Sequence, residues 1–160
     1  MTNIGIVGAE AAKFTPETAA KAKALIRELL SVPGAVLVSG RCPLGGIDVW
    51  AEEIADELCI PKHIHVPEVE QWDPPGQYGF KARNLDIARD SDNQHRSSDI
   101  VHVIVVAVYP LGYEGRTFLI CYHCAKVPGK DPEDHVKSGG CWTAIKAMEF
   151  GKRAMWHVIE

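Results

Sequence analysis

The stretch Val36-Leu-Val-Ser-Gly-Arg-Cys-Pro-Leu-Gly-Gly-Ile-Asp-Val-Trp-Ala51 constrains the fold more than any other part of the chain. Residues 35–38 form a short apolar run rich in β-branched side chains, which suits a buried strand. Ser39 and Gly40 close the run, and Gly45-Gly46 permit a sharp turn. Ile47, Trp50, Ala51, Ile54, Ala55 and Leu58 then recur at helical spacing. A strand that ends in glycines and feeds a helix exposes backbone N–H groups at the helix N-terminus. Those groups and the helix dipole favour an anion, most often phosphate. The competing reading is a glycine-rich connection between two packed elements, because short glycine motifs match by chance.

The common phosphate signatures are absent. The chain has no G-x-x-x-x-G-K-[ST], which argues against a P-loop triphosphatase, and no G-x-G-x-x-G after the first strand, which argues against an ordinary dinucleotide fold. Its 160 residues suit one domain, 1–160, with a sizeable core. The formal net charge of -4 gives no global field for nucleic acid or anionic membranes. With no signal-like segment and no long uncharged apolar run, a cytoplasmic, non-membrane protein is expected. The odd count of 5 cysteines argues against a secreted disulfide framework.

Taken in order, residues 3–7 read as a first buried strand closed by Gly8. Thr15-Pro16-Glu17 is a helix start, and Ala22, Leu25, Ile26, Leu29 and Leu30 give that helix an apolar face until Pro33-Gly34 stop it. After the central strand, turn and helix, residues 63–66 read as a short third strand and 68–77 as a loop with Trp72. Residues 78–92 read as a helix carrying Lys81, Arg83 and Asn84, and 90–99 are polar and unpatterned. The run 100–108 is the strongest strand, apolar on both faces as a central parallel strand requires, with His102 as a hydrogen-bonded core residue. A long connection over 109–137 precedes a helix opened by Ser138-Gly-Gly-Cys-Trp-Thr143, and 154–159 form a last strand. This alternation predicts an α/β, Rossmann-like, doubly wound and mostly parallel sheet flanked by helices. Ligands of such sheets bind beyond the carboxyl ends of the strands.

Three stretches resemble the SLOG superfamily, the Rossmann-like group that contains the DNA-processing protein A family and the Lonely Guy phosphoribohydrolases, once misnamed lysine decarboxylases. Ser39-Gly40 through Gly45-Gly46-Ile47-Asp48 with Ala51 resembles the glycine turn of the DNA-processing branch. Arg83-Asn84, ahead of Asp99 and the strand over 100–108, resembles the superfamily's arginine helix. The segment 138–143 resembles the Lonely Guy phosphate loop. Three departures stand against the match. Lys146 occupies the position of the Lonely Guy catalytic glutamate, residues 93–98 lengthen the spacing from Arg83 to Asp99, and 109–137 are inserted.

The resemblance implies a nucleotide or nucleotide-derived ligand, and a homodimer. The expected phosphate-binding set is Ser39, Gly40, Gly45, Gly46, Arg83, Asn84, Ser138, Gly139, Gly140 and Thr143, with Trp72 or Tyr78 available to stack on a base. Three functions follow. The first is a binding or sensing domain without chemistry. The second is a hydrolase of the N-glycosidic bond of a nucleoside monophosphate, with Asp48, Glu52 and Glu114 as candidate carboxylates. The third, single-stranded DNA binding, is disfavoured by the acidic balance and the lack of a basic aromatic groove.

The insertion also suggests a structural zinc ion. Cys121, Cys124, His135 and Cys141 follow C-x2-C-x10-H-x5-C, which offers three thiolates and an imidazole to one tetrahedral ion. The bland alternative is four unrelated residues. A polar insertion with Pro128, Gly129 and Pro132 has little apolar surface with which to hold itself, so a metal would supply order there.

Overall fold

A computed structural model of the chain describes residues 2–89, 100–106 and 139–160. Ser138, Glu114, the extra segment 93–98, the insertion 109–137 and three of the zinc candidates, Cys121, Cys124 and His135, lie outside the described residues.

Among the described residues the elements are β1 (Thr2–Gly8), α1 (Pro16–Leu30), β2 (Ala35–Ser39), α2 (Ile47–Glu57), β3 (Lys62–Ile64), α3 (Phe80–Ala88), β4 (Ile100–Val106), α4 (Gly139–Glu149) and β5 (Arg153–Ile159), with a 3-10 turn at Ala11–Lys13. All described strand pairs are parallel, in the order β3-β2-β1-β4-β5. The fold is α/β and doubly wound, as the alternation predicts. No described helix is long and apolar enough to cross a membrane.

Local chemistry explains the element ends. Thr15 caps α1, its hydroxyl accepting from the Thr18 N–H at 3.2 Å while the Thr18 hydroxyl accepts from the Thr15 N–H at 2.8 Å. Pro16 follows at the first helical position, where its missing N–H is not needed. β2 is buried at every position, and α2 turns Ile47, Ala51, Ile54 and Ala55 inward. β3 begins at Lys62, one residue earlier than the apolar pattern suggested, because the Leu37 N–H bonds to Pro61 O and pulls the chain into register there. α3 begins at Phe80 and its helical hydrogen bonding ends at Ala88, well inside the span 78–92 read from the sequence.

Two cores sandwich the sheet. α1 and α2 cover one face through Ile26, Leu30, Ile47 and Ile54 against Ile4, Ile6, Leu37 and Ile104. α3 and α4 cover the other through Ile87, Ala144 and Ala147 against Val38, Val101 and Val103. The two windings diverge between β1 and β4. There α1 lies on one face and α4 on the other, and a crevice opens past the strand ends.

His102 is a hydrogen-bonded core residue. It is 6% exposed, and its Nδ1 lies 2.9 Å from Nε2 of His157 on the adjacent strand, with the rings stacked. Burial pushes His102 down to about 4, helped by His157 and Arg153. Burial lowers His157 too, against the pull of Glu28. The unfolded chain therefore binds protons below about pH 6.5 that the folded chain refuses until about pH 4, so the pair's contribution to stability falls as pH falls through that window. His102→Leu is expected to lose about 1 kcal/mol less stability than wild type between pH 7 and pH 5. Urea melts at both pH values measure this. Parallel pH profiles for the two proteins would show that the pair does not carry the acid sensitivity.

Candidate functional site

The crevice is a cavity of about 210 Å³ lined by Val7, Gly8, Ala9, Glu10, Lys13, Cys42, Asp48, Arg83, Asn84, Gly140 and Thr143. Four parts of the fold supply it. The end of β1 and the segment after it form one wall, and the first residues of α4 pack against the end of β1 beside it. α2 gives Asp48 and the turn before it gives Cys42; α3 gives Arg83 and Asn84.

Arg83 is the best-anchored of the charged groups. A solvated charge on a helix is the ordinary fate of an arginine, yet this one is 7% exposed. Its Nη1 donates to Gly40 O at 2.6 Å and its Nε donates to Asn84 Oδ1 at 2.7 Å. The guanidinium also lies 5.4 Å from the Phe80 ring centroid. A side chain on Gly40 would lie 2.3 Å from Nη1, so the guanidinium needs a glycine there to reach the carbonyl. The aromatic ring and the two acceptors hold the guanidinium in one orientation, which is what bidentate recognition of an oxyanion requires.

Asp48 stands beside it, with Oδ2 4.0 Å from Arg83 Nη1. The carboxyl is 6% exposed. Burial raises its pKa to about 6, while Arg83 and the backbone N–H groups of Cys42 and Gly8 pull the other way. A carboxyl poised near neutrality in a cleft is a candidate for proton chemistry or for charge-dependent binding. The Cys42 thiol is pushed up by burial, and by Asp48 and Glu10 against Arg83, so it is a weak nucleophile there.

The predicted residues divide. Asp48, Arg83, Asn84, Gly140 and Thr143 line the cavity. Gly139 opens the same helix α4. Ser39 is fully buried, and its hydroxyl donates to Ile6 O at 2.7 Å, tying β2 to β1. Gly40 offers its carbonyl to Arg83. Gly45 and Gly46 adopt φ of 74° and 87°, and this left-handed turn lets the Ile47 N–H donate to Ala9 O. The turn therefore shapes the cavity from behind. Glu52 is bound to Arg41 and Lys62 away from the cavity, and these partners hold its carboxyl below the usual range, Arg41 most of all. Lys146 pairs with Glu149 at 3.0 Å and does not line the cavity. Trp72 packs edge-to-face on Trp142, and the Tyr78 hydroxyl donates to Asp86.

The sequence reading missed the segment after β1. Gly8, Ala9, Glu10 and Lys13 form a wall that carries no recognised motif. The available signal was positional: a central first strand ending in glycine leads to the switch point.

No family model, curated protein or solved structure matches the chain. The functional reading therefore rests on the site's own geometry and on the motif resemblance. Among the described residues no group of three or more potential ligands is placed to hold a metal ion. Cys141, the described member of the zinc set, is buried on α4.

Proposed function

We propose that the chain binds a nucleotide or nucleotide-derived phosphate ester in the β1–β4 crevice, as a binding or sensing domain. The observation that carries this reading is a buried, oriented arginine in a cavity at the switch point of a parallel sheet, which the first turn of α4 also lines. Anions at such positions gain from the helix dipole and from a guanidinium that needs no reorganisation. Lys13 adds a second cation at the wall, and Gly140 keeps the backbone of α4 close to Gly8. A cavity of about 210 Å³ is below the usual range for whole drug-sized ligands. It suits the phosphate and sugar of a nucleotide, with the base outside. The SLOG resemblance points to the same ligand class.

A second reading, cleavage of the N-glycosidic bond, is favoured by one observation. Asp48 lines the cavity and titrates near neutrality, whereas Glu52 does neither. A carboxylate beside the ribose could stabilise positive charge or activate water.

Isothermal titration with AMP, GMP, CMP, UMP and ribose 5-phosphate tests binding, and chromatography of the same mixtures tests for free base. The expected result is micromolar binding without base release. Lys13→Glu is expected to weaken binding about tenfold. Free base accumulating in proportion to protein would turn the conclusion to the hydrolase. No binding to any of the five compounds would overturn both readings.

A further inference from the structure

Asp48 and Arg83 present a conflict that a bound anion must resolve. The two side chains are both more than nine-tenths buried, 4.0 Å apart, and walls of the same cavity. An oxyanion held by the guanidinium comes to rest beside the carboxylate. Two negative groups would then share one arginine in a place where water screens little, and like charges at that range disfavour ionisation of one of them.

We propose that anion binding in this cavity is coupled to the uptake of one proton by Asp48, so that the site admits a phosphate ester and a proton together. The inference rests on the phosphate reading above and adds the regulation of that site. The proton comes from the buffer and ends on a carboxyl oxygen of Asp48. The protonated group no longer repels the anion, and its O–H can donate to a phosphate oxygen. No bond to the ligand forms or breaks.

The other groups around Asp48 do not take this part. On its own helix, Glu52 lies one turn on and is held by Arg41 and Lys62. The turn before α2 brings the Cys42 thiol and its backbone N–H. The segment after β1 brings Glu10, Lys13 and the Gly8 N–H, and α3 brings Arg83. α4 contributes Gly140 and Thr143, neither of which titrates in this range. Glu10 is half-buried, whereas Asp48 lies in direct reach of Arg83. Burial already places the Asp48 carboxyl near pH 6 in the empty cavity, so a modest push from a bound anion carries it through neutrality.

The sign follows from linkage. The complex holds more protons than the free protein between the two pKa values of Asp48, so binding tightens as pH falls from 8 toward 6. Removing the charge should mimic the proton. Asp48→Asn is expected to bind ribose 5-phosphate about tenfold more tightly than wild type at pH 8 and equally at pH 5.5. The phosphate's own ionisation is common to both proteins and cancels in the comparison. Titrations at pH 7 in buffers of different ionisation enthalpy should show wild type taking up at least about half a proton more than the variant. Carboxyl NMR of wild-type protein provides an independent measurement, in which the Asp48 titration moves up when ribose 5-phosphate is added. Equal proton uptake in the two proteins, an unmoved Asp48 titration, or an asparagine variant weaker at every pH would overturn the coupling alone. Absence of any ribose 5-phosphate binding would overturn the phosphate reading and the coupling with it.

Discussion

Gly8→Ala is expected to cost the protein about 3 kcal/mol of stability and to abolish the cavity as a binding site. A β-carbon on Gly8 would sit 2.1 Å from Ile104 O and 2.9 Å from Ile47 Cγ1. The first of these is backbone, in the strand paired with β1, so no rotamer change relieves the clash. Gly8 is in register with Ile104, and the next residue's N–H donates to Ile104 O at 3.0 Å. Relief therefore means parting the ends of β1 and β4, which breaks that bond. The same movement displaces the Gly8 N–H from Asp48 and the Gly8 backbone from Gly140. For a chain of this length a 3 kcal/mol loss corresponds to a fall of about 6–12 °C in melting temperature. Calorimetry measures it. A melting temperature within about 2 °C of wild type would mean that the strand ends are looser than their packing implies.

Much of the fold was legible because its causes are local. Thr15-Pro16 declares the start of α1 through a hydroxyl and a missing N–H. The run from Ile100 is apolar on both faces, and a sheet covered by helices on both sides requires that. Even His102 was legible as a core group, since one imidazole in a strand finds a neighbour more readily than a metal. The site was less legible because its causes are distant in sequence. Nothing near Ser39 reveals that its hydroxyl will meet Ile6 O, across 33 residues. Gly40 looked like a residue that makes room for phosphate, and it makes room for Arg83 instead. The wall formed by Ala9, Glu10 and Lys13 depends on strand order. Only a sheet with β1 at its centre and β4 beside it turns the end of the first strand into the switch point. Arg83 was drawn to the site by its motif neighbours, while its burial and its bond to Gly40 O join positions 43 residues apart.

Arg83→Met is expected to remove ligand binding by at least about 100-fold, the equivalent of about 2.7 kcal/mol, and to destabilise the empty protein as well. The two losses have separate origins. Methionine fills much of the same volume against Phe80, so packing is largely kept. The Gly40 carbonyl loses its donor, and Asp48 loses the only cation within 4.0 Å of its carboxylate among the described residues. A buried polar group left without its partner costs about 1–3 kcal/mol, which sets the loss of stability. Without Arg83 the Asp48 carboxyl also titrates higher than about 6, because the guanidinium is the largest influence opposing burial. Arg83→Lys separates charge from geometry. An ammonium restores a positive charge but cannot donate to Gly40 O, Asn84 Oδ1 and a ligand oxyanion from one planar fork. The lysine variant is therefore expected to recover stability more fully than affinity, binding about tenfold or more weaker than wild type. Titration calorimetry and urea melts on the three proteins resolve the two effects. If the lysine variant matched wild type in affinity, the site would be reading charge alone. If the methionine variant bound as wild type does, the anion would lie outside the β1–β4 crevice.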